Sequence, residues 1–453
     1  MHQEILAHDA ATNEPRTNEQ TNQLNDESTS GGGRMQSRRQ LLKALAATGG
    51  AAAITVLPGR WVRPVVEAGA LPAHAQISPT PTATPTATVT VTPVPTPPLG
   101  NEFAIMGTAS GGNQIVVFPT ANTGLPNPTQ YAVPGLPGGA EPHGVAYFGE
   151  AGGLAADAGN GRIFVVDLET STLVDTITPA TYNGRGTVAV APGPGFALAG
   201  DNSSTLTVIA APFGAGSTIT SVALPGSIAT YQTQAIVFDA DGRAFVCHSA
   251  GVSVLDPPYD AIAFTIPFDN PRSGAIAITP DGSQLLTTDL TSGNVYVFTA
   301  PFSPSSTPDT LTIGTFAGSA PLPEEDGAAP FPSTGDVGPS QAYRLDGIMV
   351  TPDGSQAIVC NSSSPHVYAI SAPFGGSSAF EEIPLPAGLT GGFEDVGISP
   401  DGQLAIVTGN GLGGQPAIFI QAPFTAAGAT VHAVAVVGGG RGAGAVRFQP
   451  PNL

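Results

Sequence analysis

Gly274-Ala275-Ile276-Ala277-Ile278-Thr279-Pro280-Asp281-Gly282 is the stretch that decides the fold, because closely similar stretches follow it twice. Residues 347–354 read GIMVTPDG, and residues 396–402 read VGISPDG. Each copy is a short run of small and aliphatic residues, which is typical of a buried strand, followed by a turn. In the turn, proline presets φ, aspartate caps the backbone and glycine accepts a positive φ. The sequence therefore predicts a strand and a tight turn that recur along the chain.

Three further strands complete each repeat. A second strand follows the turn (355–360, 403–408), a third alternates in character (294–299, 366–371), and a fourth forms the outer edge (220–224, 310–316). Four repeats end the third strand with Ala-Pro-Phe, at 211–213, 300–302, 372–374 and 422–424. Proline ends the strand ladder, and we expect the phenylalanine to pack between neighbouring repeats. Four strands in a period of roughly 40–50 residues predict the blades of a β-propeller.

The number of blades follows from the inner strands. Seven of them are expected, beginning near Gly144, Gly186, Gln234, Gly274, Gly347, Asp395 and Gly444. The domain starts with a second-strand segment (103–108) and ends with a first strand that lacks the rest of its blade (443–449). We therefore predict an all-β fold over residues 101–453, a seven-bladed β-propeller of four-stranded antiparallel blades. Its C-terminal strand closes the ring, which removes exposed sheet edges.

The N-terminal hundred residues are predicted to contain an export signal and a linker. Residues 1–36 are polar and are predicted to be disordered, and Met35 is an alternative start. Ser37-Arg38-Arg39-Gln40-Leu41-Leu42-Lys43 resembles the twin-arginine export motif, and residues 37–75 are therefore predicted to form a signal peptide that ends at Ala73-His74-Ala75. Residues 76–100 are a Pro/Thr-rich linker of extended character. This organisation predicts a periplasmic, cell-surface or extracellular protein, attached to a membrane only if the leader is not cleaved.

Charge and cysteine content restrict the partners. Residues 101–453 carry 27 acidic side chains against seven arginines and no lysine, which accounts for the whole net charge of −20. Such a surface repels nucleic-acid phosphates and anionic membranes, so no nucleic acid is expected as a partner.

Cys247 and Cys360 occupy the same second-strand position two blades apart, beyond the reach of a disulfide, and are predicted to be free, buried thiols. A monomer is expected.

The repeats resemble the YVTN and lactonase-like group of seven-bladed propellers over residues 101–453. The Pro-Asp-Gly turns and third strands such as Asn294-Val295-Tyr296-Val297-Phe298 carry this resemblance. It implies the fold, but it implies little about the activity, because this scaffold hosts many functions.

The few arginines of the domain suggest where a ligand would bind. Four of them directly precede inner strands: Arg185, Arg272, Arg344 and Arg441. His143 and Gln232 have the equivalent place in two further blades, and Glu394 and Asp395 have it in the seventh. A ring of guanidinium groups at the channel mouth would bind a carboxylate or phosphate. Alternatively, each arginine pairs with a carboxylate of the next blade and only fixes its loop. Both interpretations use polar side chains at the ends of second strands as ligand-binding or partner residues: Asp157, Asp201, Asp289, His248 and Asn361.

The lactonase resemblance suggests a catalytic alternative. Pro142-His143 and Ala156-Asp157-Ala158-Gly159 resemble the Pro-His and Asp-x-Gly segments of that group, and Arg185 and Asp201 fall near its arginine and acidic positions. The resemblance implies His143, Arg185 and Arg272 as catalytic residues. The sequence departs from the pattern of that group in two ways. Arg185 lies one residue out of register, and an aspartate replaces the usual glutamate.

Other features of the domain add little chemistry. A long loop (317–343) with Glu324-Glu325-Asp326 lies on the candidate face, as either a binding loop or a neutral insertion. No metal site and no cofactor are predicted, although calcium between Asp157, Asp201 and Asp289 is an alternative. Two functions remain: an extracytoplasmic binding or scaffold propeller for an anionic small molecule or a protein, and a lactonase-like hydrolase or isomerase acting on a lactone or carboxylated substrate.

Overall fold

Short strands joined by tight turns make up the computed structural model, which contains 28 strands and no helix within the residues that it describes. All of these residues belong to one compact unit. The described residues are 103–108, 114–119, 128–184, 186–193, 195–228, 234–268, 273–290, 292–314, 344–389, 392–410, 417–436 and 443–448. The predicted disordered segment, signal peptide and linker (1–36, 37–75 and 76–100) and the long loop (317–343) lie outside them.

The strands form seven four-stranded antiparallel sheets, as predicted. The chain begins with three strands of the closing blade, blade 7: β1 (Phe103–Thr108), β2 (Ile115–Pro119) and β3 (Tyr131–Ala132). Blades 1 to 3 follow: β4 (Pro142–Phe148), β5 (Gly152–Asp157), β6 (Arg162–Asp167) and β7 (Thr172–Ile177); β8 (Thr187–Val190), β9 (Phe196–Gly200), β10 (Thr205–Ala210) and β11 (Thr218–Ala223); β12 (Ile236–Phe238), β13 (Ala244–His248), β14 (Gly251–Leu255) and β15 (Phe264–Pro267).

Blades 4 to 6 and the closing strand complete the chain. Their strands are β16 (Ser273–Ile278), β17 (Gln284–Asp289), β18 (Asn294–Thr299) and β19 (Asp309–Thr312); β20 (Leu345–Val350), β21 (Gln356–Asn361), β22 (Val367–Ser371) and β23 (Phe380–Glu382); β24 (Gly392–Ile398), β25 (Leu404–Asn410), β26 (Ala417–Gln421) and β27 (Thr430–Val434); and β28 (Ala443–Phe448).

The C-terminal strand closes the ring. β28 pairs antiparallel with β1, with Ala104 opposite Phe448 and Met106 opposite Val446, so that blade 7 has the order β28-β1-β2-β3. Inner strands of neighbouring blades contact one another all the way around, including β28 with β4. The predicted closure is therefore confirmed.

Hydrophobic side chains fill the spaces between blades. Inner and second strands are buried on both faces, whereas outer strands such as β7 alternate between exposed and half-buried residues. Phe374 and Phe424, from two of the Ala-Pro-Phe segments, each pack in a cluster formed by two neighbouring blades. The predicted packing of these phenylalanines is confirmed at both positions.

Polar contacts repeat along with the apolar ones. The side chain of Gln284 in blade 4 donates to the carbonyl of Phe374 in blade 5 at 2.8 Å, and Gln356 in blade 5 donates to the carbonyl of Phe424 in blade 6 at 3.1 Å. Each glutamine thus holds the Ala-Pro-Phe loop of the following blade. The phenylalanine fills the space between the blades while its carbonyl fixes their spacing.

The Pro-Asp-Gly turns have the chemistry expected of them. Thr279 Oγ1 donates to Asp281 Oδ1 at 2.6 Å, and the backbone N–H of Ser283 donates to the same oxygen at 3.0 Å. These hydrogen bonds, the one from Thr279 first, lower the pKa of Asp281 to about 2. Gly282 has a φ of 70°, a value that glycine adopts without strain. A charged aspartate therefore holds this turn closed.

Both cysteines are buried and neither forms a disulfide, as predicted. Burial raises the pKa of the Cys360 thiol, so this thiol is protonated at neutral pH. Among the described residues, there is no helix that is long and apolar enough to span a membrane.

Candidate functional site

A β-bulge lies near the start of the inner strand in five blades. In blade 1, Pro142 pairs with Asp157 and Val145 with Ala155, so that His143 and Gly144 together lie opposite the single residue Ala156. The ladders of β16, β20, β24 and β28 shift at the same point. An extra residue re-aims the side chains of a strand, and bulges are common next to functional sites.

The ladders place one residue of each blade in an equivalent position around the central channel, at the bulge in five blades and at the matching position in blades 2 and 3, whose ladders show no shift. We call these seven residues the channel ring: His143, Gly186, Gln234, Gly274, Asp346, Glu394 and Gly444. Its four residues other than glycine are all polar and are all at most 7 % exposed. The ring thus combines an imidazole, an amide and two carboxyl groups with three positions that lack a side chain.

Side chains of the channel ring reach past the blade next to them. His143 Nε2 lies 3.6 Å from Glu394 Oε2, which joins blades 1 and 6 although blade 7 separates them. Gln234 Nε2 lies 3.8 Å from Met349 Sδ, which joins blades 3 and 5 past blade 4. The intervening ring positions are Gly444 and Gly274, so no side chain stands between the groups in contact. The polar side chains therefore point into the channel.

Close approach of the inner strands explains the glycines. A Cβ on Gly444 would lie 2.6 Å from the carbonyl oxygen of His143, and one on Gly274 would lie 2.1 Å from Thr288 Oγ1. A Cβ on Gly186 would lie 1.5 Å from the carbonyl oxygen of Gly200. Close packing against neighbouring strands thus excludes a side chain at these three positions.

Burial sets the charge state of the channel ring. It raises the pKa of Glu394 well above its ordinary value, and the nearby charges of Asp346 and Asp395 raise it further. Burial also lowers the pKa of His143 to about 4. Both shifts favour the uncharged forms, so that a carboxyl group of raised pKa lies next to a neutral imidazole.

Asp395 is the residue after the bulge in blade 6, and it has a cationic partner. Arg447 Nη1 donates to Asp395 Oδ2 at 2.5 Å, and the backbone N–H of Val446 donates to the same oxygen at 2.9 Å. Burial raises the pKa of Asp395, while the positive charge of Arg447 opposes that shift. The ion pair fixes β28, the closing strand, to blade 6.

Three buried oxygen atoms at this site accept no hydrogen bond from the described residues. They are Gln234 Oε1, Glu394 Oε2 and Asp395 Oδ1. A buried polar atom without a hydrogen bond costs about 1–3 kcal/mol and calls for an explanation, such as a bound ion or ligand. The channel therefore has spare capacity for accepting hydrogen bonds.

The carboxylates at the ends of second strands hold loops in place. Asp157 Oδ1 accepts the backbone N–H groups of Glu141 and Gly159 at 2.9 and 3.1 Å, while its Oδ2 accepts Nε and Nη2 of Arg162 at 3.0 and 2.7 Å. Asp201 accepts the N–H groups of Asn183 and Ser203 at 2.7 and 2.8 Å. Both side chains thus fasten the loop before their own inner strand. Asp157 pairs with an arginine of its own blade.

The other three residues at the strand ends have similar contacts. Asn361 Oδ1 accepts the N–H groups of Arg344 and Ser363 at 3.2 and 3.0 Å. His248 Nδ1 accepts the N–H of Ala250 at 3.2 Å while its Nε2 lies 2.8 Å from Ser253 Oγ, and burial lowers the pKa of this histidine to about 4. Asp289 Oδ2 accepts the hydroxyl groups of Ser292 and Tyr296 at 2.5 and 3.2 Å.

Only part of the predicted arginine ring can be located. Arg185, Arg272 and Arg441 lie outside the described residues, as does Gln232. Arg344 is half-buried and directly precedes β20, two residues before Asp346. His143 lies inside its inner strand, at the position equivalent to Asp346, so its register differs from the alignment with the arginines that the sequence suggested.

Asp346 and Gln234 are site residues that sequence reasoning missed, while Glu394 was noticed only as a blade-equivalent residue. Asp346 and Glu394 reach this position through the bulge, which shifts the register by one residue and has no clear sequence signal, whereas Gln234 lies before a ladder without a shift. Polar residues within otherwise apolar inner strands were the one available signal. Among the described residues, no group of three or more His, Cys, Asp or Glu side chains is arranged to hold a metal ion.

Comparisons with known proteins find similar solved structures but no matching family. No family model and no curated protein matches the sequence. Among solved structures, a protein from Lactobacillus plantarum is similar with a TM-score of 0.55 and 15 % identity, over 77 % of this chain and 100 % of that chain. The β-propeller domain of Cps50 (Swd1) from Myceliophteria thermophila has a TM-score of 0.48 at 11 % identity, over 68 % of this chain and 93 % of that one. Hydrazine synthase of Kuenenia stuttgartiensis has a TM-score of 0.44 at 13 % identity, over 62 % and 76 % of the two chains.

At these identities the likeness concerns the fold alone. Together with the sheet order, it defines the class: the chain is a seven-bladed β-propeller.

Proposed function

We propose that this chain is an exported, monomeric propeller that binds a partner at its channel mouth on the extracytoplasmic side. The channel ring carries this proposal, because four buried polar side chains converge there on a rigid scaffold. Ligand sites are typically concave, largely preformed and lined by a few convergent polar groups. Arg38-Arg39 and the Pro/Thr-rich linker support export and display of the domain.

The proposed partner is an anionic small molecule, or an acidic group of a protein, bound by arginines above the channel ring. Arg344 lies directly before β20, and Arg185, Arg272 and Arg441 directly precede other inner strands in the sequence. Guanidinium groups bind carboxylates and phosphates bidentately.

Binding of anions can be tested by thermal unfolding of the full chain with citrate, succinate and phosphate. A ligand that binds the native state raises the melting temperature in proportion to the logarithm of its concentration. Arg344→Gln should reduce the shift, whereas Arg243→Gln should not, because Arg243 pairs with Asp239 in a turn at the opposite end of its blade. The proposal is rejected if none of the anions stabilises the chain more than chloride at equal ionic strength.

Export is tested by the twin arginines. Arg38→Lys together with Arg39→Lys should leave the full chain in the cytoplasm of a bacterial host that has the twin-arginine route, as followed by cell fractionation. Arg34→Lys, outside the motif, is the matched control and should be exported. Unchanged export of the double variant would refute the assignment of a twin-arginine export signal.

A lactonase-like hydrolase is the second candidate function, and the position of His143 favours it. This histidine, which resembles the lactonase Pro-His segment in sequence, lies in the channel 3.6 Å from Glu394. A neutral imidazole beside a carboxyl group can accept a proton from water that attacks a lactone carbonyl. Acid release from a sugar δ-lactone, followed at constant pH, tests this activity. Hydrolysis that persists in His143→Asn would rule out the assigned role.

A further inference from the structure

We propose that Met349 is a site of reversible oxidation by peroxide and that Gln234 accommodates the sulfoxide that forms. The two side chains meet where Gln234 Nε2 of blade 3 lies 3.8 Å from Met349 Sδ of blade 5. A thioether sulfur is only a weak acceptor, so this contact is weaker than a hydrogen bond to an oxygen atom. Adding an oxygen to the sulfur would give the amide N–H a strong acceptor in the same place.

Exposure distinguishes Met349 from the other methionine that the structure describes. Met349 is partly exposed, whereas Met106 of β1 has no exposed surface and packs between blades 6 and 7. The remaining two methionines of the chain, Met1 and Met35, lie outside the described residues. Oxidation requires contact between the sulfur and the oxidant. Of the two described methionines, Met349 is therefore the one that peroxide should modify.

Met349 occupies a position that carries a small residue in most blades. The ladders place it level with residues of the other inner strands, and in four of those six strands the equivalent residue is alanine or glycine: Ala146, Ala189, Ala277 and Gly397. Methionine has a long and flexible side chain, which here brings its sulfur to Gln234. The contact is thus specific to blade 5 and is not a feature of the repeated scaffold.

The reaction needs hydrogen peroxide and no other reactant. A lone pair of Met349 Sδ attacks one peroxide oxygen, the O–O bond breaks, and the departing oxygen takes up the proton of the transferred one and leaves as water. The sulfur is oxidised by two electrons and the peroxide is reduced by two. The product has a polar and chiral sulfoxide in place of an apolar thioether, and methionine sulfoxide reductases reverse the change.

Gln234 provides the donor that the new oxygen requires. Carbon atoms of Met349 pack against the apolar cluster between blades 5 and 6, and a polar oxygen left among apolar groups without a donor is destabilising. Gln234 is only 3 % exposed, and its amide nitrogen already faces the sulfur. An oxygen on that side of the sulfur can lie at the usual N–H···O distance of about 2.9 Å from Nε2. The link between blades 3 and 5 should therefore become stronger on oxidation.

The first experiment treats the full chain with hydrogen peroxide and follows each methionine by fragment mass spectrometry. In the native chain, Met349 should gain one oxygen at least about tenfold faster than Met106, because oxidation of Met106 requires opening of the core. In urea, the two rates should become equal. Equal rates in the native chain, or a Met349 that stays unmodified while Met106 reacts, would reject Met349 as the site.

The second experiment tests the role of Gln234 through thermal unfolding before and after oxidation. The melting temperature of the wild type should stay within about 1 °C, whereas that of Gln234→Leu should fall by at least about 2 °C on oxidation. Gln403→Leu is the matched control and should behave as the wild type does, because the Gln403 amide only bonds to a carbonyl of its own exposed turn. Equal shifts in the wild type and in Gln234→Leu would show that Gln234 does not accommodate the sulfoxide.

A third measurement needs no variant and covers the case in which Gln234→Leu does not fold. The two classes of methionine sulfoxide reductase each act on one sulfoxide epimer. Fragments from the chain oxidised in its native state should contain mainly one epimer at Met349, whereas oxidation in urea should give both. Both epimers in equal amounts after native oxidation would contradict a fixed partner for the oxygen. None of these outcomes depends on export or on anion binding at the mouth.

Discussion

Two sets of polar residues surround the channel, and they differ in how their hydrogen-bonding atoms are used. Asp157 binds two backbone N–H groups and the Arg162 guanidinium, so both of its oxygens are occupied within its own blade. Glu394, near the start of an inner strand, has its Oε2 3.6 Å from the imidazole of His143, and this oxygen forms no hydrogen bond with the described residues. The first kind of residue holds the fold together, while the second kind is available to a ligand.

His248 should make stability depend on pH in the acid range. Its pKa is about 4 in the native state against 6.5 when unfolded, because burial disfavours the imidazolium. Between these values the unfolded chain binds more protons, so stability rises as pH increases from 4 to 6.5. His248→Asn, which has the acceptor that Asn361 uses in blade 5, should flatten this rise by up to one proton. Urea unfolding at several pH values measures the slope, and an unchanged slope would contradict the assignment.

At the scale of single residues, the sequence predicted some positions well and others not at all. Burial of Cys247 and Cys360 followed from their place in equivalent strands. The strand-end group was recognised from the same alignment, but whether its side chains face a ligand or a loop depends on atomic contacts. Glu394 lies next to His143, which is more than 200 residues away in sequence, and no local pattern reports this contact.

At the scale of elements, an outer strand of one blade binds the Ala-Pro-Phe loop of the next. Asp309 of β19 accepts the N–H of Gly376 at 2.7 Å, and Glu381 of β23 accepts the N–H of Ala426 at 2.9 Å. Asp175 of β7 does the same for Ala215 at 2.7 Å. These contacts join the rims of three pairs of blades, on the outside of the ring where apolar packing is thinnest.

Removing one rim contact should have a small but measurable effect. Asp309→Ala leaves the N–H of Gly376 to water, and the free energy of unfolding should fall by about 0.5–1 kcal/mol. Asp260→Ala, in the exposed loop between β14 and β15, is the control and should stay within about 0.5 kcal/mol of the wild type. Equal stability of both variants would mean that the rim contact contributes nothing.

Close packing of inner strands predicts a much larger effect at a ring glycine. Gly186→Ala places a Cβ 1.5 Å from the carbonyl oxygen of Gly200, so β8 must separate from β9. The free energy of unfolding should fall by more than about 3 kcal/mol, judged from strain and overpacking in other cores. Gly138→Ala has nothing within 4 Å of the new Cβ and serves as the control in chemical denaturation. A mild effect at Gly186 would show that the two strands do not pack this closely.

At the scale of the whole molecule, the ring depends on its last strand. Deleting residues 443–453 removes β28 and leaves β1 unpaired along one edge, so the domain should lose its cooperative thermal transition. Deleting only 449–453 keeps β28 and should preserve the transition. A peptide of residues 441–453 added to the longer truncation should restore it. A cooperative transition in that truncation without the peptide would show that blade 7 is stable with three strands.

The seven-bladed architecture was predictable because short sequence motifs that recur along the chain determine it. Pro-Asp-Gly turns, Ala-Pro-Phe segments and the orphan strands at both ends gave seven blades and their closure without tertiary information. The channel ring was not predictable, because it is made by a register shift repeated in strands far apart in sequence. The repeated motifs thus predict the propeller scaffold, whereas the residues that differ between blades form the channel ring.

Closure through β28 also sets an order of events during synthesis. Blades 1 to 6 each consist of consecutive strands and can form as the chain emerges, but the sheet begun by β1 waits for residues 443–448. The earliest strands made are thus the last to be completed, and the Asp395–Arg447 ion pair forms only then. A ribosome that stops early releases a chain with an open ring and an incomplete channel. The ring therefore closes only after β28 has been made.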